Sequence, residues 1–190
     1  MFRFTTLLLL PALTLAFPHS RSNHTAQEVI ELFKLEPNIE KGYFRQNFVD
    51  SRTVPGTNRS LSTAIYYLLE RSAGFSYWHK VDAVEVWYVL TFHCSELIVG
   101  ADLYRHHYAG APMTMEMSWD NGTATEKRVL GGDVFKGEEP QRVVQAQRWQ
   151  RVRSEGEWTL VGTTMGPGFS ESGFEMRQDW MPNDGCSSVM

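Results

Sequence analysis

The chain has 190 residues, with 18 Lys and Arg against 22 Asp and Glu, which gives a formal net charge of −4. This mild acidity argues against a nucleic-acid-binding protein, because phosphate backbones require a basic face. The Lys and Arg residues are scattered, so no basic run would hold the chain on an anionic membrane.

The N-terminal segment 1–16 has the pattern of a secretory signal peptide. Arg3 precedes an almost uninterrupted apolar run, and small residues stand shortly before Phe17. The run is shorter than the roughly 20 apolar residues that a membrane-spanning helix needs. We therefore predict a secreted protein, extracellular or in the lumen of the secretory pathway. Its mature form has no membrane segment and begins with a flexible stretch, 17–24.

Three Asn-X-Ser/Thr sequons agree with this route and predict glycosylation at Asn23, Asn58 and Asn121. The mature chain holds two cysteines, Cys94 and Cys186. In an oxidising compartment they can form a disulfide that ties the C-terminal tail, 179–190, to the domain. The alternative is a buried free Cys94 and an unpaired Cys186. Two cysteines are too few for a disulfide scaffold, so a hydrophobic core must stabilise the fold.

The first predicted element is a short amphipathic helix over 25–35. Thr25 and Glu28 have the spacing of a capping box, and apolar residues follow at helical intervals. The helix should end before Pro37, since proline disfavours the helical conformation of the residue that precedes it.

After the helix, the pattern changes to period two and becomes rich in aromatic and β-branched residues. It predicts strands at 43–49, 61–69, 75–79, 85–91, 113–119, 123–130, 142–145, 148–152, 158–164 and 173–176. Turn-forming sequences such as Val54-Pro55-Gly56 and Gly166-Pro167-Gly168 separate them. Many short strands at regular spacing indicate a closed barrel or jelly roll, here one domain over 25–178.

Several segments, in order, resemble a cupin family of unknown function, the "cupin 5" type: Lys41-Gly42-Tyr43-Phe44-Arg45, Phe75-Ser76-Tyr77-Trp78-His79, Val84-Glu85-Val86-Trp87, Tyr108-Ala109-Gly110 and Pro167-Gly168-Phe169. The resemblance implies a mainly β fold, a single double-stranded β-helix barrel (the cupin, RmlC-like jelly roll) with the short N-terminal helix. It also implies a homodimer. It implies no settled activity, because one fold carries many functions.

Cupins in general hold a divalent metal with a His-x-His-x-x-x-Glu motif and a later histidine. By that resemblance His79 and Glu85 match the first and third ligands, whereas Val81 and Gln150 replace the two other histidines. One imidazole, one carboxylate and one amide are a poor set for a transition metal. We therefore expect no cofactor; a weak divalent-metal site at His79, Glu85 and Gln150 is the alternative.

Without a metal, His79 and Glu85 form a histidine–carboxylate pair inside the barrel. Such a pair can carry out general acid–base catalysis, or the two groups can simply satisfy each other. Arg45, with Gln150, is the candidate to stabilise an oxyanion, and a surface ion pair is the alternative for Arg45.

Three aromatic residues complete the predicted binding site. Tyr66, Trp87 and Trp149 stand at positions where they could line the barrel and stack on a flat ligand, with Gln150 beside them. The alternative is that they belong to the core. Relative to the family, segment 91–107 is extra, which indicates either a lid over the barrel or a gene-model error.

The residues favour an enzyme that transfers protons without a metal, such as an isomerase, epimerase or cyclase acting on a small oxygenated molecule. Two alternatives stay open. One is a non-catalytic cupin that binds or stores a small ligand, and the other is a weakly metal-dependent dioxygenase or decarboxylase.

Overall fold

The computed structural model describes residues 24–89 and 110–184. They form one α-helix, α1 (Ala26–Phe33), and three short 3-10 helices, Arg71–Ala73, Val134–Lys136 and Glu171–Gly173. The strands are β1 (Glu36–Pro37), β2 (Tyr43–Val49), β3 (Thr63–Glu70), β4 (Trp78–Val81), β5 (Val84–Tyr88), β6 (Met113–Ser118), β7 (Glu126–Leu130), β8 (Gln141–Val144), β9 (Trp149–Ser154), β10 (Trp158–Gly166) and β11 (Phe174–Arg177). In this part of the chain, no helix is long and apolar enough to cross a bilayer.

The predicted N-terminal helix is confirmed, and it begins with the expected capping box. The Thr25 hydroxyl accepts a hydrogen bond from the Glu28 amide at 3.3 Å, and the Glu28 carboxylate accepts one from the Thr25 amide at 2.7 Å. The chain leaves the helix at Lys34, which has φ 53°. The apolar face packs on the outside of a sheet, against Leu68, Trp158 and Leu160.

The strands form two antiparallel sheets. One sheet has six strands in the order β1-β2-β3-β10-β5-β8, and the other has five in the order β11-β4-β9-β6-β7. The mainly β fold is thus confirmed. The strands described here remain in two separate sheets and are not closed into a single continuous barrel.

The main hydrophobic core contains residues from both sheets. Met113, Met115 and Met117 alternate along β6, and none of them is exposed. They pack with residues of the six-stranded sheet, among them Tyr67, Leu69, Trp87 and Val161. The period-two pattern of the sequence therefore marks the side chains that fill this core.

Several strand boundaries differ from the prediction, and the starts of β4 and β7 each lie three residues later than predicted because backbone groups there bind elsewhere. Residues 75–77 precede β4: the Ser76 amide donates to the Val152 carbonyl at 2.8 Å, and the Tyr77 amide donates to the Glu40 carbonyl at 3.1 Å. In the β6–β7 hairpin, β7 begins at Glu126 rather than at residue 123. There the Asn121 side chain accepts from the Thr123 amide at 3.1 Å and forms a turn.

Several predictions concern residues outside the described ranges. These are the signal peptide, Asn23, the extra segment 91–107, and both Cys94 and Cys186. Asn58 and Asn121 lie in exposed turns of the described part. Their glycosylation stays a prediction.

Candidate functional site

A cavity of about 470 Å³ opens in the described part of the domain. Its walls are mostly apolar and aromatic, and its polar groups include three glutamates and one histidine. It is lined by residues of the β1–β2 loop, of strands β2, β3, β4, β5 and β10, and of segment 169–174, among them Glu40, Phe44, Tyr67, His79, Val81, Glu85, Trp87, Phe169, Glu171 and Phe174.

The β4–β5 hairpin places His79 and Glu85 in this cavity. Side chains alternate along a strand, so His79 and Val81 face the same side of β4. On β5, Glu85 and Trp87 are buried while Val84 is exposed. His79 and Glu85 are 3% and 6% exposed, so both polar groups are almost completely removed from bulk water.

The carboxylate that contacts His79 belongs to Glu40. The His79 Nδ1 atom lies 3.4 Å from Glu40 Oε2 and 3.1 Å from the Tyr77 carbonyl oxygen. The ring also stacks on Phe174, with centroids 5.9 Å apart. Both polar contacts of the ring within the described chain are made by Nδ1. This arrangement orients the imidazole and leaves Nε2 for another partner.

Glu40 was missed by the sequence analysis, although it directly precedes the Lys41-Gly42 motif on which the resemblance rests. Burial raises the pKa of the Glu40 carboxyl above its usual range. The attraction of His79 opposes this rise, and repulsion from Glu85 adds to it. Glu40, His79 and Glu85 therefore form one electrostatic cluster.

The β1–β2 loop holds Glu40 in position through a strained turn. Lys41 and Gly42 both have positive φ, 79° and 72°. The Lys41 Nζ atom donates to the carbonyl oxygens of Ala73 at 3.1 Å and Phe75 at 2.9 Å, which anchors the loop. A Cβ atom on Gly42 would overlap the carbonyl oxygen of Leu68, so glycine is required there.

Tyr67 lies beside Glu40. The Tyr67 side chain is buried and lines the cavity, and its hydroxyl donates to the Lys41 carbonyl oxygen at 3.1 Å. Burial raises the pKa of Tyr67 well above its usual value, and repulsion from Glu40 adds to this, against the effect of a hydrogen bond with Ser76. The phenol is therefore a neutral hydrogen-bond donor at physiological pH.

Gln150 supports Glu85 from behind the cavity wall. The Gln150 Nε2 atom donates to Glu85 Oε2 at 2.6 Å, and Gln150 is fully buried. The described lining of the cavity does not include Gln150. The amide thus orients the Glu85 carboxylate and does not itself face a ligand. The expectation that Glu85 is the carboxylate paired with His79 is corrected, since the imidazole lies against Glu40.

Three residues predicted for the site lie elsewhere. Strand alternation turns Phe44 inward and Arg45 outward, and the Arg45 guanidinium lies over the Tyr66 ring at 5.9 Å. Tyr66 packs on Phe33 of α1 with ring centroids 5.1 Å apart. Trp149 packs on Trp180 of the tail, 4.4 Å between centroids. The described cavity lining contains none of the three predicted residues.

Trp87 is the predicted aromatic residue that does line the cavity. It meets Tyr67 edge to face, with ring centroids 5.8 Å apart. Trp87 is also only 3% exposed and belongs to the main core. The core interpretation of Trp87 is therefore confirmed, and its stacking on a ligand stays a prediction.

The donor set does not fit the metal site that cupins commonly carry. Val81 stands on the inward side of β4, where the second histidine would be, and Gln150 commits its NH₂ group to Glu85. Within residues 24–89 and 110–184, no three His, Cys, Asp or Glu side chains are grouped so as to hold a metal ion. A transition metal needs three or four good donors, so we assign no step to a metal.

Glu40 predicts a pH dependence of stability. Because the pKa of Glu40 is raised in the folded state, folding favours the protonated carboxyl, and this contribution is lost as pH rises from about 4.5 through the folded pKa. The unfolding free energy of wild type minus that of Glu40→Gln should therefore fall as pH rises. Urea unfolding at pH values across this window measures it, with the exposed Glu157→Gln as control. A difference that grows with pH would contradict the prediction.

Comparisons with known proteins agree with this architecture. A family model described as Cupin_5, Cupin superfamily (DUF985), matches residues 27–98 and 91–177. A crystal structure of a Shewanella oneidensis protein is 28% identical and covers 81% of this chain and 85% of its own, with a TM-score of 0.65.

A hypothetical protein from Leishmania major shares the fold at 20% identity. The similarity covers 80% of this chain and 86% of the other, with a TM-score of 0.64. A search of curated proteins found no match to the sequence. Since the family model spans most of the chain, from the start of α1 to the end of β11, this protein belongs to the Cupin_5 (DUF985) family of the cupin superfamily.

Proposed function

We propose that the protein is an enzyme that transfers a proton on a small oxygenated molecule without a metal, as an isomerase, epimerase or cyclase. The observation that carries this proposal is the 3.4 Å contact between His79 and Glu40 inside the cavity. Imidazole is a common general base in enzymes, and burial raises the pKa of the Glu40 carboxyl that lies against it.

The reaction we propose begins at a carbon next to a carbonyl group. His79 Nε2 takes the proton, the C–H bond breaks, and its electron pair moves to the carbonyl oxygen to form an enolate. Glu40 stabilises the imidazolium through Nδ1. For an α-hydroxy carbonyl compound, His79 then returns the proton to the neighbouring carbon while the hydroxyl proton passes to the enolate oxygen, which gives isomerisation. Epimerisation instead requires a second proton donor on the opposite face of the enolate, and the proton on His79 is then released to solvent.

The surroundings of the pair support this chemistry. Removal from bulk water strengthens the electrostatic interactions among His79, Glu40 and Glu85. Glu85 is oriented by Gln150, and Tyr67 extends the polar end of the cavity. Oxyanion stabilisation is not assigned to Arg45 or Gln150, because the described cavity lining lacks both.

An assay that does not require the substrate to be known in advance tests the proposal. The purified protein is incubated in D₂O with a panel of α-hydroxy and α-amino carbonyl compounds, and proton NMR measures loss of the signal next to the carbonyl. We expect exchange above the buffer rate for at least one class of compound. Ligand binding without any exchange would instead support the non-catalytic binding or storage cupin. Exchange that appears only after a divalent metal is added would support the metal-dependent alternative.

A further inference from the structure

The charge of the cavity lining selects among substrates. Among the described residues that line the cavity there are three acids, Glu40, Glu85 and Glu171, with His79 and neither Lys nor Arg. His79 lies against Glu40, so two further carboxyl groups have no basic residue on the wall beside them. Glu85 is buried, whereas Glu171 is exposed and lies on the 3-10 helix Glu171–Gly173.

Basic residues near the cavity are bound to other groups. Lys41 donates to two backbone carbonyls, and Arg59 forms a bidentate pair with Asp82 at 2.9 and 2.7 Å. The Lys80 ammonium lies 3.0 Å from Glu175 and over the Trp149 ring, which is not part of the cavity lining. These contacts hold the three cations away from a ligand in the cavity.

One carboxylate oxygen of Glu85 is available to a ligand. Its Oε2 atom receives the Gln150 hydrogen bond, and no described residue donates to Oε1. A buried carboxylate favours a positively charged or hydrogen-bond-donating partner, since burying it with neither is costly. A ligand with an ammonium group would provide both the charge and the donor.

The rest of the wall suits the same kind of ligand. Phe44, Trp87, Phe169 and Phe174 line the cavity. Aromatic faces attract cations, most strongly when water is excluded. An anion would meet these faces and the carboxyl groups without a compensating cation, so it would lose its hydration at a cost.

We propose that the ligand of this cavity is a small organic cation, an ammonium group on a compact apolar or aromatic body, with Glu85 as its main counterion. This inference rests on the proposed function only in placing the ligand in the same cavity. The charge of the ligand is argued from the residues that line that cavity. For the proposed reaction it narrows the substrate to an oxygenated ammonium compound.

Three probes of similar shape test the inference: phenylethylammonium, phenylethanol and phenylacetate, each titrated into the full protein by calorimetry. We expect the cation to bind at least about tenfold more tightly than the alcohol, and the anion not to bind. Glu85→Gln should remove most of the preference for the cation. Glu157→Gln, an exposed change outside the cavity, should keep it.

The outcomes separate this inference from the proposed function. Equal affinities, a preference for phenylacetate, or no saturable binding of the cation at millimolar concentration would overturn the inference. A cation preference in Glu85→Gln equal to that of wild type would overturn the role of Glu85. Proton exchange on anionic compounds would leave the proposed reaction standing and refute the substrate class. Selective cation binding without exchange would support the ligand class and refute the proposed reaction.

Discussion

Replacing His79 by glutamine should lower the rate of deuterium exchange by about 100-fold or more, because a positioned general base typically contributes about 10²–10⁴-fold. Glutamine is close in size and can keep a hydrogen bond to Glu40 or to the Tyr77 carbonyl. It cannot take up a proton at neutral pH. The change therefore removes the proposed base while preserving most of the packing around Phe174.

The matched control is His24→Gln, since the His24 side chain is 74% exposed and lies outside the cavity. It should leave the exchange rate unchanged. Urea unfolding of both variants checks that they remain folded. If His79→Gln folds poorly, His79→Ala with added imidazole provides a second test, since free imidazole should restore part of the rate. Exchange in a folded His79→Gln protein within about threefold of wild type would refute the role of His79 as base.

Replacing Gly42 by alanine should destabilise the fold and disturb the site together. Gly42 has φ 72°, and a Cβ atom there would overlap the backbone carbonyl of Leu68. Backbone atoms of a central strand cannot move aside cheaply, so the loop that carries Glu40 would have to shift. We expect a loss of about 3 kcal/mol or more in unfolding free energy. We also expect a slower exchange rate, because Glu40 would move away from His79.

Gly56→Ala separates the two causes of this loss. Gly56 has φ 78°, like Gly42, but a Cβ atom added there would have no neighbouring atom within 4 Å. Its cost should be only that of the left-handed backbone, about 1–2 kcal/mol. Equilibrium unfolding in urea compares the variants. Equal losses for Gly42→Ala and Gly56→Ala would show that the overlap with Leu68 has no energetic consequence.

The sequence was most informative where neighbours along the chain determine the structure. The Thr25 and Glu28 pattern locates the start of α1, because capping bonds join residues three apart. The resemblance to the cupin metal motif predicted that His79 and Glu85 face inward, and both line the cavity. The family motifs added the cupin fold class, which is a property of the whole domain and not of any local pattern.

The pairing of side chains across elements was less predictable. Glu40 meets His79 through a loop that is anchored 32 and 34 residues away by Lys41. Arg45, Tyr66 and Trp149 were aromatic or basic residues at plausible strand positions, yet each packs outside the cavity. Period two separates two faces of a strand but does not say which face the cavity occupies.

From its residues alone, then, the chain determined a mainly β domain with a capped helix at its start, and the family resemblance added a histidine and a glutamate in the interior of that domain. The tertiary structure decided that His79 contacts Glu40, that Gln150 holds Glu85, and that acids outnumber bases on the cavity wall. The reason is physical: secondary structure follows from local backbone and side-chain preferences, whereas burial and charge pairing depend on which distant segments pack together.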